Sequence, residues 1–142
     1  MYDTLPELKK EHAKMRKIFR QINRMLSDGT ANMFIVNKFN RLGSLWNKHE
    51  QKEERFFESL GVSKKNEQPF YKMYIDEHRE LKGHWLVLEE CLNSGDELKM
   101  RIAIETDGMM LIDKLKKHMD EEDKFFEKVE KKYAKVIEVK SS

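Results

Sequence analysis

Apolar residues recur at spacings of three and four along almost the whole chain, the pattern of helices that each bury one face. Leu5, Leu8, His12, Met15, Phe19, Ile22 and Leu26 share one side of a first helix. Thr4-Leu5-Pro6 opens it, with proline in the first turn where a missing N–H is harmless. Ser27-Asp28-Gly29-Thr30 reads as a stop and a turn. A second helix is predicted from about Asn32 to Leu60, with Ile35, Phe39, Leu42, Leu45, Trp46, His49, Glu53, Phe56 and Leu60 inward. Gly61 suits the residue just past a helix end, and Ser63 to Gln68 form a polar connection. Pro69 starts a third helix with Phe70, Tyr74, His78, Leu81, Trp85, Leu88 and Leu92 on one side, and Asn93-Ser94-Gly95-Asp96 ends it. A fourth carries Ile104, Leu111, Leu115, His118, Glu122, Phe125 and Val129 before a charged tail.

Four amphipathic helices with short connections predict an all-α, up-down-up-down antiparallel four-helix bundle. No shift in composition marks a linker, so residues 1–142 are expected to form one domain. Gly108, inside the fourth helix, weakens it locally without a reason visible in the sequence.

Polar residues on the inward stripes are the informative exceptions. Four of the five histidines lie there, one per helix: His12, His49, His78 and His118. His84 falls toward an edge near Glu80 and reads as a surface residue. His49 and Glu53, like His118 and Glu122, stand four residues apart, about 40° around a helix, so one ion could meet both side chains. The spacing alone is weak evidence. With 26 acids in 142 residues, an acid follows a given histidine at that distance about one time in five by chance. The weight comes from the conjunction with His12 and His78. Two inward carboxylates would also repel each other and lose hydration at several kcal/mol per ion, a cost that metal cations offset. Carboxylate and imidazole donors on facing bundle helices suit a di-iron or di-manganese centre, and the lack of thiolate donors argues against an iron–sulfur cluster.

Counting from the turns puts His12, His49 and His78 at similar depth. His118 is out of step with His78 by about six residues, or roughly 9 Å. Either the fourth helix begins late, near Met100, or the third connection is irregular.

Charge narrows the partners. The 28 basic and 26 acidic residues are interspersed, without the basic stripe of a nucleic-acid binder. No stretch approaches the roughly 20 apolar residues of a membrane helix, and charges among the first residues exclude a signal-peptide core. Cys91 has no partner cysteine for a disulfide or a thiolate metal site. These features lead to the expectation of a cytoplasmic protein.

The motifs resemble the hemerythrin-like, or HHE cation-binding, family over nearly the whole chain. The resemblance rests on Glu11-His12, His49-Glu50-Gln51-Lys52-Glu53-Glu54, Glu77-His78-Arg79-Glu80-Leu81 and His118-Met119-Asp120-Glu121-Glu122-Asp123-Lys124-Phe125-Phe126. It implies a bundle around two non-haem iron ions, oxo- or hydroxo-bridged, held by His12, His49, Glu53, His78, His118 and Glu122, with Glu53 and Glu122 as bridges. The chain departs from the oxygen carriers of the family, which have HxxxH in the third helix; here Tyr74 stands one turn before His78. Tyr74 could be a phenolate ligand, a hydrogen-bond donor to a bound molecule, or core. Oxygen carriers also use HxxxxD in the fourth helix, which would nominate Asp123; helix geometry favours Glu122, since Asp123 points about 140° from His118. Glu50 could add a ligand but lies toward the flank.

The set of four histidines and two glutamates is similar to the iron-centre repair branch of the family, tied to nitrosative and oxidative stress, although the cysteine-bearing N-terminal domain of some of its members has no counterpart here. Three functions follow as expectations: a di-iron protein that binds, senses or reduces oxygen, nitric oxide or peroxide; an iron donor for damaged iron–sulfur centres; or a metal-free helical interaction module. Enzymatic turnover is left open. A monomer is expected, with an unidentified redox partner or iron acceptor.

Overall fold

The computed structural model describes residues 4–59 and 69–141, the backbone alone at 69–72 and 132–141. Its elements are α1 (Thr4–Ser27), α2 (Asn32–Ser59), α3 (Pro69–Leu92), α4 (Glu97–Ala103), a π-helical turn (Ile104–Gly108) and α5 (Met109–Ser141). The last three form one rod, so the fold is an all-α four-helix bundle, as the periodicity predicts. Leu60, Gly61 and the connection from Ser63 to Gln68 lie outside the described residues. Among those described, no helix is long and apolar enough to cross a membrane.

Gly29, with φ of 69°, closes α1. Its N–H donates to the Leu26 carbonyl at 3.3 Å and the Thr30 N–H to that of Met25 at 2.9 Å. This is a Schellman cap, which needs a left-handed residue where glycine has no steric penalty. Asp96 caps α4 by accepting a hydrogen bond from the Lys99 N–H at 3.1 Å.

The fourth rod thus begins at Glu97, earlier than Met100, and the irregularity lies in the connection. Asn32 Nδ2 donates to the Glu97 carbonyl at 2.9 Å and its carboxylate at 2.7 Å, and Arg101 Nη1 donates to the Thr30 carbonyl at 3.1 Å. These bonds hold the start of α4 beside the α1–α2 turn. From that start His118 comes level with His78, their Nε2 atoms 2.8 Å apart.

A ring from α2 accounts for Gly108, which ends the π turn. A Cβ there would lie 2.9 Å from Phe39 Cζ, and Phe39 is fully buried. Gly43 does the same for Trp85: a Cβ would come within 2.2 Å of the indole. Each glycine is a seat for an aromatic ring from a neighbouring helix.

Among the described residues, two apolar clusters form the core. The larger includes Met15, Phe19, Ile35, Phe39, Leu42, Trp46, Leu81, Leu88, Leu111 and Leu115. The smaller holds Leu5, Leu8, Phe56, Phe57, Tyr74, Phe126 and Val129. Of the expected inward positions, Leu26, Leu45, Trp85 and Phe125 are only partly buried, while Ile18, Phe57 and Phe126 are buried. Phe126 replaces Phe125 because one helical turn past Glu122 falls between the two positions, and the facing helices decide which ring enters. His12, His49, Glu53, His78, His118 and Glu122 are all buried in the polar layer between the clusters.

Candidate metal centre

Each rod contributes to this layer from the face its sequence pattern turns inward. α1 supplies His12, α2 His49 and Glu53, α3 His78, and α5 His118 and Glu122. The imidazoles approach in pairs, with Nε2 of His12 3.0 Å from Nε2 of His49, and Nε2 of His78 2.8 Å from Nε2 of His118. Glu53 and Glu122 lie between the pairs, each 1% exposed. One oxygen of Glu53 contacts His49 Nε2. Glu122 Oε1 stands 3.3 Å from His12 Nε2 and 3.4 Å from His118 Nε2.

The Nδ1 edges face outward, each against a carboxylate. His12 meets Asp123 at 2.8 Å, His49 meets Glu11 at 2.9 Å, His78 meets Glu50 at 2.6 Å and His118 meets Glu77 at 2.5 Å. The four contacts close a cycle around the bundle. α1 supplies the acid for α2, α2 for α3, α3 for α5, and α5 for α1. An ionised carboxylate only accepts, so each Nδ1 carries the proton, and a neutral ring then points its Nε2 lone pair into the centre.

These donors call for cations. Among the described residues, Glu53 Oε2 and both oxygens of Glu122 are buried with no hydrogen-bond partner, an arrangement that costs several kcal/mol if nothing positive meets it. Two groups of donor atoms among the described residues are close enough to hold an ion, within 4.8 Å of one another: His12, His49, Glu53 and Glu122, and Glu53, His78, His118 and Glu122. Both carboxylates belong to both groups, so the residues fit a pair of ions joined by shared carboxylates.

Electrostatics favour a neutral imidazole at His118. Burial, reinforced by neighbouring His78, holds the His118 pKa below its ordinary value. Burial alone would raise Glu11 and Asp123, but hydrogen bonds from Lys52 and His49 to the first, and from His12 and Arg16 to the second, keep both below the ordinary range. These acids therefore stay ionised at neutral pH.

All six residues singled out from the sequence meet in this layer. Asp123 belongs to neither donor group and instead faces the back of His12; Glu50 does the same for His78. Tyr74 packs its ring 3.9 Å from that of His78, centroid to centroid, and 4.6 Å from that of Phe57, among the core aromatics. His84 sits partly exposed, 3.5 Å from Glu80. Sequence reasoning gave no role to Glu11 or Glu77. The signal was present, an acid beside His12 and another beside His78, but each serves a histidine on a different helix.

Comparison with curated proteins and with solved structures returned no match. The family model described as the hemerythrin HHE cation binding domain matches residues 3–129 and so takes in the whole donor layer. Taken with the buried histidine and glutamate groups, that match makes the chain a member of the hemerythrin HHE cation-binding domain family and a metal-binding protein of this class.

Proposed function

We propose that the protein holds two non-haem irons through His12, His49, Glu53, His78, His118 and Glu122, and that it binds, senses or reduces a small ligand such as oxygen, nitric oxide or peroxide. The observation that carries this reading is the pair of buried glutamates common to both donor groups, three of whose oxygens have no hydrogen-bond partner. When bound, two adjacent irons supply one electron each and Lewis-acid polarisation to a small oxidant.

The chain's own residues do the rest. Glu53 and Glu122 fix the spacing of the two positions. The outer carboxylates orient the imidazoles and keep their protons on Nδ1. Tyr74, Trp46, Phe57 and Phe126 wall the layer from water; the Trp46 ring lies 6.1 Å from that of His78, and the Phe126 ring 5.6 Å from that of His12. Each position has two imidazoles and two shared carboxylates, fewer protein donors than an octahedral ion uses, which supports an exchangeable ligand. One chain contributes all six donors, which supports a monomer as the working unit.

Metal analysis after anaerobic iron reconstitution, with an optical spectrum, tests the proposal. About two irons per chain and an absorption that shifts with azide, peroxide or nitric oxide are expected. Fewer than one iron per chain would leave the metal-free module standing, and a spectrum indifferent to every ligand would remove the small-molecule role. The limited protein donor count also favours a second reading, an iron donor for damaged iron–sulfur centres in oxidative or nitrosative stress. That reading requires transfer of iron to an apo iron–sulfur protein, and iron that never exchanges would exclude it.

A further inference from the structure

The two halves of the donor layer have matching ligands but different surroundings. On the His12–His49 side each outer carboxylate is divided between an imidazole and a cation. Asp123 gives Oδ1 to His12 at 2.8 Å and Oδ2 to Arg16 at 2.6 Å. Glu11 gives Oε1 to His49 at 2.9 Å and Oε2 to Lys52 at 2.8 Å. On the His78–His118 side, Glu50 and Glu77 face the imidazoles at 2.6 and 2.5 Å. Among the described residues, no lysine or arginine forms an ion pair with either acid. Lys114, which lines a 160 Å³ cleft beside Glu77 and His118, is engaged by Glu80 at 2.6 Å.

A carboxylate behind an imidazole makes its other nitrogen a stronger donor and adds negative charge near a bound cation. A second cation on that carboxylate cancels part of both effects and itself repels the ion. Asp120 and Glu7 also approach Arg16 and Lys52, at 3.0 and 3.6 Å, but at 66% and 57% exposed against 32% and 39% for the two cations they stand further into solvent and offset them only in part.

We propose that the two metal positions are electrically unequal, the His78–His118 position taking the first and more tightly held ion because Glu50 and Glu77 back it with uncompensated charge, while Arg16 and Lys52 weaken the His12–His49 position. The proposal rests on the metal-binding reading above. It makes Glu50, Glu77, Arg16 and Lys52 positioning and tuning residues that touch no ion.

Calorimetric titration of the apoprotein with cobalt(II) chloride, followed in parallel by visible absorption, tests it. Wild type should bind in two resolved steps, with His118→Ala removing the tight step and His12→Ala the weak one. Glu77→Gln, which keeps an acceptor for Nδ1–H without the charge, should weaken the tight step about tenfold. Glu11→Gln should change the weak step less, its charge being already matched. The double variant Arg16→Met/Lys52→Met should tighten the weak step about tenfold and leave the tight one alone. Equal steps in wild type, a double variant that moves the tight step or neither, or an effect of Glu11→Gln as large as that of Glu77→Gln would each overturn the inequality while leaving metal binding intact. An apoprotein that takes up no cobalt and no iron would overturn the metal-binding reading and this inference together.

Discussion

Glu122 gives a test in which one substitution should change the sign of its effect with metal. Its side chain is buried, and neither oxygen has a hydrogen-bond partner among the described residues. An unsatisfied buried oxygen costs about 1–3 kcal/mol, and more when charged. Against this stands attraction to His12 and His118, whose Nε2 atoms are 3.3 and 3.4 Å away, to the extent that a ring is protonated. Burial and His78 hold His118 toward the neutral form, so the offset from that ring is small. Replacing a buried ion by a well-packed apolar residue stabilises by about 1–4 kcal/mol in comparable cases. Glu122→Met, which conserves volume in a layer flanked by Leu115 and Phe126, should therefore stabilise the metal-stripped protein by about 1–4 kcal/mol. At this chain length that is a rise in Tm of roughly 3–4 °C per kcal/mol. With metal the sign reverses. A ligand at a hundredfold excess over its Kd stabilises by about 2.7 kcal/mol per site, and the variant loses a donor common to both positions. Urea unfolding and calorimetry of both proteins, in chelator and after iron loading, give the four stabilities. A less stable apo variant, or the same shift with and without metal, would refute the reasoning that these oxygens exist to meet cations.

Three further outcomes follow from the surroundings of the site. Gly108→Ala should destabilise by about 1–3 kcal/mol through overpacking against Phe39, and Phe39→Leu in the same chain should recover part of that in a double-mutant cycle; additive losses would break the link. Because the pKa of Asp123 is held below its ordinary 3.8, its contribution to apoprotein stability is complete above that value and is lost as pH falls through the lower folded pKa. Asp123→Asn should thus flatten the fall in unfolding free energy below about pH 4, and an unchanged slope in urea titrations would count against the Arg16 and His12 bonds. Asp96→Ala removes the cap of α4 and should cost about 1 kcal/mol, read as faster amide exchange over residues 97–101 with α1 unaffected; equal loosening of both helices would mean that the cap has no local role.

The closed cycle of outer carboxylates ties the donor layer to the packing order of the bundle. Glu11 reaches from α1 to His49 on α2, and Asp123 from α5 back to His12 on α1. Each histidine is thus held from behind by a neighbouring helix, so a shift of any helix would misdirect a donor. The apolar clusters on either side fix the level of the layer, and the seats at Gly43 and Gly108 let two rings cross between helices in the larger cluster.

Periodicity by itself determined the helices and the inward facing of His12, His49, Glu53, His78, His118 and Glu122, because a 3.6-residue repeat assigns every position an angle on its own helix. That His118 lies level with His78 was decided only by the tertiary structure. Periodicity also favoured Glu122 over Asp123 as the inward acid, since 140° separates Asp123 from His118. What it could not assign were relations between helices. Glu11 and Glu77 sit about 100° from the histidines beside them in sequence, on flanks that meet whichever helix lies next to them. Only the packing order decides that Glu11 serves His49 and Glu77 serves His118. The same holds for Phe126 over Phe125 and for Gly108, whose reason is a ring from α2. Local pattern fixes which way a side chain faces; the partner it meets there depends on the arrangement of the whole bundle.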